Sequence, residues 1–398
     1  RGGVVFASRQ HTPLSEREAC RGGSYERQDF RQIIFQGLGM AELFLWIFLL
    51  ILGLAILVKG ADWFVDGSAG IAKKCKIPPL IIGLTIVAFG TSAPELCVSV
   101  ASAIGAHLSA DGSTDIAIGN VLGSNIVNIL LILGLAAIFH NLPVKRESLI
   151  LDIPVLILAS GLLIGLGIWG RALDWWDGLV FVSIMIAYTA FLIVKAKKSL
   201  RKQKTLEKCV PAGELPPAQE DAEQIGEERE KPKGKVGQWF ASMKQKTWFL
   251  SLLTVVGLGM VVGGGTLLVE SAKEIADYFN ISERIVALTV VAIGTSLPEL
   301  VTSVVAARKG ETDIAVGNVI GSNIFNILLV AGVSSLVYPL PFSLEGNLVD
   351  ALVAFAAVLV LYFLALVSKK KQIGKVGGLV MLACFVGYYV YLFLGVAS

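Results

Sequence analysis

Gly90-Thr91-Ser92-Ala93-Pro94-Glu95 and Gly294-Thr295-Ser296-Leu297-Pro298-Glu299 are near-copies, and each sets a glutamate inside an apolar run of membrane length. A second matched pair follows. Ser113 to Gly134 (STDIAIGNVLGSNIVNILLILG) and Glu311 to Gly332 (ETDIAVGNVIGSNIFNILLVAG) agree at 16 of 22 positions. Ionisable side chains are costly in hydrocarbon and are rarely retained there without a role. Two of them in duplicated surroundings point to one ion site built from both halves of the chain.

Composition agrees. The 398 residues are 55% hydrophobic and 16% charged, with mean hydropathy +0.72. Soluble domains carry about 25% charge, and several apolar runs here approach the roughly 20 residues that span a bilayer as a helix. The fold class expected is an all-α polytopic membrane protein. Five cysteines without metal-type spacing and only three histidines argue against a thiolate or imidazole metal centre.

Ten membrane segments are expected, at about 43–69, 79–104, 115–139, 149–168, 177–195, 247–276, 285–307, 313–338, 348–367 and 376–396. Residues 1–39 are polar, hold six arginines and lack a signal-peptide core. Met40 reads as the natural start, and 1–39 as a disordered, non-native leader. Residues 40–195 form a first five-helix repeat and 247–398 a second. The stretch 196–246, rich in Lys, Glu, Pro and Gln, reads as a flexible linker.

Equivalent residues lie 204 apart through Glu95 and Glu299, and 198 apart from Asp115 and Asp313 onward. Because five is odd, the second repeat must enter the membrane from the opposite side, giving an inverted repeat suited to alternating access. With the linker placed in the cytoplasm, eleven Lys and Arg of the loops share that side (Lys73, Lys145, Arg308 and Lys369 among them). Only Arg171, Lys273 and Arg284 oppose them. Both termini then lie outside, and the localisation expected is that of an integral membrane protein.

Thr91 and Glu95 are four apart and share a helix face, as do Ser124 and Asn128, and Ser322 and Asn326. Pro94 and Pro298 cannot donate backbone hydrogen bonds, so each helix should open there and free carbonyls near Ala88 to Thr91 and near Ala292. Two carboxylates with hydroxyl, amide and carbonyl oxygens select hard cations: one Ca²⁺, or Na⁺ ions. No cofactor is implied. The partners expected are the ions and the lipid bilayer, with no nucleic acid. Asp66 and Glu270 are weaker candidates for an ion entry path. Asp115 and Asp313 read as helix-start carboxylates. Trp175, Trp176, Tyr388, Tyr389 and Tyr391 read as interfacial anchors.

The pair GTSAPE/GTSLPE, with GNVLGSNIVN/GNVIGSNIFN, resembles the α-repeats of sodium/calcium exchangers in the calcium:cation antiporter superfamily, most of all its compact prokaryotic members. The resemblance runs from about Met40 to the end. It implies ten helices in two inverted five-helix repeats and Na⁺-driven Ca²⁺ export by alternating access. It also implies acidic ligands at Glu95 and Glu299, and hydroxyl ligands at Thr91, Ser92, Thr295, Ser296, Ser124 and Ser322. Carbonyl ligands at Ala88 and Ala292 and an amide ligand at Asn128 complete the implied set. Several members carry aspartate at the position of Asn326; here both halves have asparagine, which leaves two carboxylates.

The expected function is therefore Na⁺/Ca²⁺ antiport, with proton-coupled Ca²⁺ antiport as the alternative. The hydroxyl pairs Thr91/Ser92 and Thr295/Ser296 favour sodium. An intramembrane enzyme is disfavoured, because no histidine or lysine lies in any motif to activate Ser92 or Ser296.

Overall fold

The structure is a computed structural model that describes residues 14–108, 115–209, 246–279 and 292–397. The first half runs α1 (Leu14–Cys75), α2 (Pro79–Ile82), a π-helical turn (Gly83–Val87), α3 (Ala88–Thr91) and α4 (Ala93–Leu108). It continues through α5 (Asp115–Ile126), a π-helix (Val127–Leu133), α6 (Gly134–Phe139), β1 (Leu142–Pro143), a π-turn (Ser148–Asp152), α7 (Ile153–Gly170), β2 (Ala172–Leu173) and α8 (Trp175–Cys209). The second half has α9 (Thr247–Tyr278), α10 (Ala292–Thr295), α11 (Leu297–Arg308), α12 (Thr312–Phe325) and a π-helix (Asn326–Ala331). Then come α13 (Gly332–Val337), β3 (Leu340–Pro341), α14 (Asn347–Val367), β4 (Gln372–Ile373) and α15 (Lys375–Ala397).

Among the described residues eight helices are long and apolar enough to cross a membrane, and the bent pair Pro79–Thr91 with Ala93–Leu108 makes a ninth. The seventh expected segment, 285–307, is described only from Ala292; Thr289, the repeat partner of Thr85, lies outside the described residues. The spans differ in their surroundings. In their most apolar 18-residue stretches, 94% of the residues are buried in Thr312–Val337 and 78% in Ile116–Phe139, against 11% in Lys375–Leu392. The two motif-bearing helices therefore form the centre, and the outer helices expose Leu, Val and Phe as lipid-facing helices do.

Two boundaries differ from the sequence reading. Residues 14–39, expected to be disordered, continue α1 as helix from Leu14. Residues 196–209, expected as linker, continue α8. The physical reason is common to both: extending a helix already nucleated in the membrane requires only propagation, and these stretches are rich in Glu, Arg, Lys, Gln and Ala. Residues 1–13 and 210–245 lie outside the described residues.

The short strands establish the inversion. β1 pairs antiparallel with β4, and β2 with β3. By repeat position, however, β1 corresponds to β3 and β2 to β4. Equivalent loops thus lie on opposite faces of the molecule, as an inverted repeat requires. One face gathers β1, β4, the Lys145–Asp313 and Lys195–Glu147 ion pairs, and the end of α8 that leads to the linker. The other gathers β2, β3 and the His107–Tyr338 ring contact. Asp313, read as a helix-start carboxylate, is thus also one partner of an ion pair between the halves. Arg171 and Lys371, both left-handed (φ 57° and 50°), turn the chain into β2 and β4 at equivalent positions.

Equivalent helices α1 and α9 cross antiparallel on glycines. A Cβ on Gly257 would stand 2.5 Å from the Phe64 backbone nitrogen and 2.9 Å from the Gly60 carbonyl oxygen. One on Gly264 would stand 2.6 Å from Leu57 N and 2.9 Å from the Gly53 carbonyl oxygen. Small residues let membrane helices approach this closely. Gly257→Ala should therefore destabilise the protein by about 1–3 kcal/mol through overpacking, although alanine is the better helix former. Gly259→Ala, on the same helix with no described atom within 4 Å of the added Cβ, should be neutral or stabilising. Melting temperatures in detergent check the opposite signs.

Candidate cation site

Both copies of the motif break their helix in the same way. Ser92 sits between α3 and α4 at φ −86°, ψ 7°, and Ser296 between α10 and α11 at φ −89°, ψ 6°. Pro94 and Pro298 follow two residues later, and neither can donate the hydrogen bond that would join it to the carbonyl of Gly90 or Gly294. The first pair of helices bends by 45°. Each glutamate then falls in the first turn of a new helix, where the helix dipole favours negative charge.

The two halves exchange contacts across these breaks. Ser92 Oγ donates to Glu299 Oε1 at 2.7 Å, and Ser296 Oγ donates to Glu95 Oε1 at 3.4 Å. Ser322 Oγ adds a second bond to Glu299 Oε1 at 3.4 Å. Ser296 stands at the N-cap position of α11 yet makes no side-chain cap bond. A serine cap is worth about 1 kcal/mol; here the hydroxyl turns instead to the carboxylate of the other repeat.

Glu95, Glu299, Thr91, Ser92, Asn128, Ser322 and Asn326 are fully buried, and Ser124 and Ser296 nearly so. Thr295 is half-buried. Among the described residues no Lys, Arg or His pairs with either glutamate. Glu95 Oε2, Glu299 Oε2, Ser124 Oγ, both amide atoms of Asn128, and Asn326 Oδ1 have no hydrogen-bond partner among the described residues. A buried carboxylate without a basic partner needs a countercharge, and the unpartnered atoms here are almost all oxygens. An oxygen lining of this kind fits a hard cation.

Several expected residues come together differently from the sequence reading. The Ala88 carbonyl is not freed by the break: it accepts the Ser92 N–H at 3.0 Å and lies 3.5 Å from the Thr91 hydroxyl. Ala292 opens α10, but its side chain lies outside the described residues. Asn326 donates to Asn125 Oδ1 at 3.2 Å, across the repeats. Asn128 and Asn326 lie at the starts of two equivalent π-helices. Such insertions re-aim side chains and recur at functional sites; nothing in composition announces them.

Two residues went unread. Thr91 Oγ1 donates to Asn318 Oδ1 at 3.1 Å, and Asn318 Nδ2 donates to Ser303 Oγ at 2.9 Å. Its equivalent repeats the chain: Thr295 Oγ1 donates to Asn120 Oδ1 at 3.2 Å, and Asn120 Nδ2 to Ser99 Oγ at 2.9 Å. The signal was present, since Asn120 and Asn318 lie 198 apart and Ser99 and Ser303 lie 204 apart, as the repeat demands.

The two faces differ around this centre. On the face away from the linker, a cavity of about 210 Å³ reaches Thr295 between Pro94, Val98, Gly265, Glu270 and Lys273. On the linker face, Lys309 Nζ binds Asp66 Oδ1 at 2.9 Å, Asp62 Oδ1 at 3.1 Å and the Asp62 carbonyl oxygen at 2.8 Å. Of the two weaker candidates, Glu270 lines this cavity, and Asp66 belongs to an ion cluster. Tyr388 is no simple interfacial anchor: its hydroxyl donates to Asp350 Oδ1 at 2.7 Å, as that of Tyr188 does to Asp152 Oδ1 at 3.0 Å. Trp175 and Trp176 are exposed and stack on each other at 3.7 Å.

The family described as sodium/calcium exchanger protein matches residues 45–194 and 249–394. A putative antiporter, CaxA of Alkalimonas amylolytica, is 36% identical over 348 residues, covering 87% of this chain and 98% of its own. The sodium/calcium exchanger MaX1 of Methanosarcina acetivorans is 35% identical over 350 residues, covering 87% and 97%. A solved structure of the sodium-calcium exchanger NCX_Mj, soaked with zero Na⁺ and Ca²⁺, superposes with a TM-score of 0.68 at 31% identity, covering 88% of this chain and 99% of that one.

Proposed function

The chain belongs to the sodium/calcium exchanger family, whose members are membrane transporters and not enzymes, and from that premise we propose that it exchanges Na⁺ for Ca²⁺ by alternating access. One observation carries the reading. Two buried carboxylates from inverted halves are each hydrogen-bonded by the serine that precedes the other, with no basic partner among the described residues.

Ca²⁺ is held by Glu95 and Glu299, with Thr91 and Thr295 beside them. Na⁺ competes for the same carboxylates and uses the neutral oxygens of Ser92, Ser296, Ser124, Ser322, Asn128 and Asn326 and the carbonyls of Ala88 and Ala292. Two negative charges match one Ca²⁺ or two Na⁺, which makes the ions mutually exclusive at the centre. The cavity beside Glu270 and the ion cluster at Lys309 support a state open away from the linker. The excess of Lys and Arg on the linker face supports a cytoplasmic linker and termini outside. Na⁺ entering down its gradient then drives Ca²⁺ out.

The test is ⁴⁵Ca²⁺ flux in vesicles loaded with Na⁺ or given a pH gradient. Flux driven by Na⁺ alone supports the reading. Flux driven by the pH gradient and indifferent to Na⁺ overturns it in favour of proton coupling. Asn326→Asp adds a third carboxylate beside Asn125, at a position whose own Oδ1 has no partner among the described residues. It should tighten cation binding about tenfold or more, roughly the worth of a partly screened charge pair, and change the Na⁺ concentration that half-inhibits Ca²⁺ uptake. An unchanged Na⁺ dependence would remove that position from the site.

A further inference from the structure

Asn120 and Asn318 have been assigned no role by the reading above, yet each makes the same bridge. We infer that they are positioning residues that hold the threonine hydroxyls of the opposite repeat in the orientation that presents oxygen lone pairs to a cation. The inference rests on the exchanger reading and deepens it.

A threonine hydroxyl has one proton and two lone pairs, and its rotor is free unless something fixes it. A hydroxyl proton aimed at the centre would repel a cation; one aimed outward leaves only acceptors facing in. Thr91 gives its proton to Asn318 Oδ1 at 3.1 Å, nearer than its other acceptor, the Ala88 carbonyl at 3.5 Å, and Thr295 gives its proton to Asn120 Oδ1 at 3.2 Å. This works only while the amide oxygen faces the threonine. A rotated amide would offer NH₂ instead and force the hydroxyl to turn.

At Asn120 the far end of the amide prevents that rotation. Asn120 Nδ2 lies 2.9 Å from Ser99 Oγ and 3.3 Å from the Glu95 backbone carbonyl. A carbonyl only accepts, so this contact identifies the nitrogen and fixes the amide's sense. Asn318 Nδ2 lies 2.9 Å from Ser303 Oγ. Ser99, Ser303 and Asn318 are fully buried, whereas Asn120 and Thr295 are half-buried. The carbonyl contact also ties Asn120 to the backbone of Glu95 itself.

The bridges cross between repeats. Asn318, on α12, holds Thr91 of the first half, and Asn120, on α5, holds Thr295 of the second. Pairing in energy should follow pairing in space, and a role in helix packing alone would not reproduce it. The experiment measures equilibrium ⁴⁵Ca²⁺ binding to the purified full chain in detergent, using double-mutant cycles.

Thr91→Val and Asn318→Ala should each weaken binding about tenfold, the size expected for a hydrogen bond serving a charged group. Together they should weaken it little more than the worse of the two. Thr91→Val with Asn120→Ala should multiply, and so should Thr295→Val with Asn318→Ala. Multiplication in the bridged pairs as well would overturn the inference. Where an alanine variant fails to fold, Ser99→Ala or Ser303→Ala frees the same amide with less lost volume, and the same pairing decides. Glu95→Gln is the control. If it binds Ca²⁺ like the parent protein, the site reading itself has failed, and not only the bridges.

Discussion

Glu95→Gln and Glu299→Gln should each reduce Ca²⁺ binding by roughly 10²–10³-fold and leave no measurable Ca²⁺ flux, while the protein still folds. The charge is the reason. A carboxylate about 4 Å from a divalent ion gains about 8 kcal/mol at an effective dielectric constant of 20. Desolvation takes back much of this, and a remainder of about 3–4 kcal/mol corresponds to the loss stated. Folding should survive, because glutamine keeps an acceptor for the partner serine and relieves the burial of a charge that no basic residue balances among the described residues. Indeed Glu299→Gln should raise the melting temperature without Ca²⁺ and abolish the rise that Ca²⁺ gives the parent chain. A Ca²⁺-dependent shift retained by both variants would remove the carboxylates from the ion's coordination.

The same asymmetry between charge and shape explains how much of this molecule could be read from its sequence. Glu95 and Glu299 were legible because a polar residue in an apolar run is conspicuous, and a duplicated one more so. The broken helix was legible because Pro94 and Pro298 have no N–H to give. The bridge through Asn120 and Asn318 was missed, although the repeat displayed it, because Asn beside Gly reads as packing until a partner some 175 or 227 residues away is known. Tyr388 was misread for the same reason: its acid, Asp350, sits 38 residues earlier on another helix. The π-helices that carry Asn128 and Asn326 insert backbone register without altering composition. The Ala88 carbonyl was misjudged at a finer level, since the bend leaves the Ser92 N–H still able to reach it.

What repeats least is as informative as what repeats. Asp66 has its equivalent in Glu270 and Asp62 in Thr266, but the position equivalent to Lys309 is Gly105. The ion cluster of Lys309 with Asp62 and Asp66 can therefore form on the linker face only, and it is on the opposite face that the cavity reaches Thr295. The cluster joins α1, which crosses α9 on glycines, to the end of α11, which carries Glu299. It thus ties a peripheral helix pair to the site; Lys309 and Asp66 are largely shielded from solvent (20% and 18% exposed), while Asp62, 38% exposed, also pairs with Lys59 at 3.8 Å.

Lys309→Met should accordingly favour the state open toward the linker by about 1–2 kcal/mol, a value for a partly buried pair with geometry this close. Ala61, fully buried, is the repeat equivalent of cavity-lining Gly265. In a chain with Cys20, Cys75, Cys97, Cys209 and Cys384 replaced, Ala61→Cys should react with an impermeant thiol reagent about tenfold faster from the linker side once Lys309 is methionine. Gly265→Cys should react correspondingly more slowly from the other side. Unchanged rates at both positions would mean that the cluster only joins two helix ends. Opposed changes would mean that a near-symmetric transporter is held open to one side by a single lysine that its duplicated half does not possess.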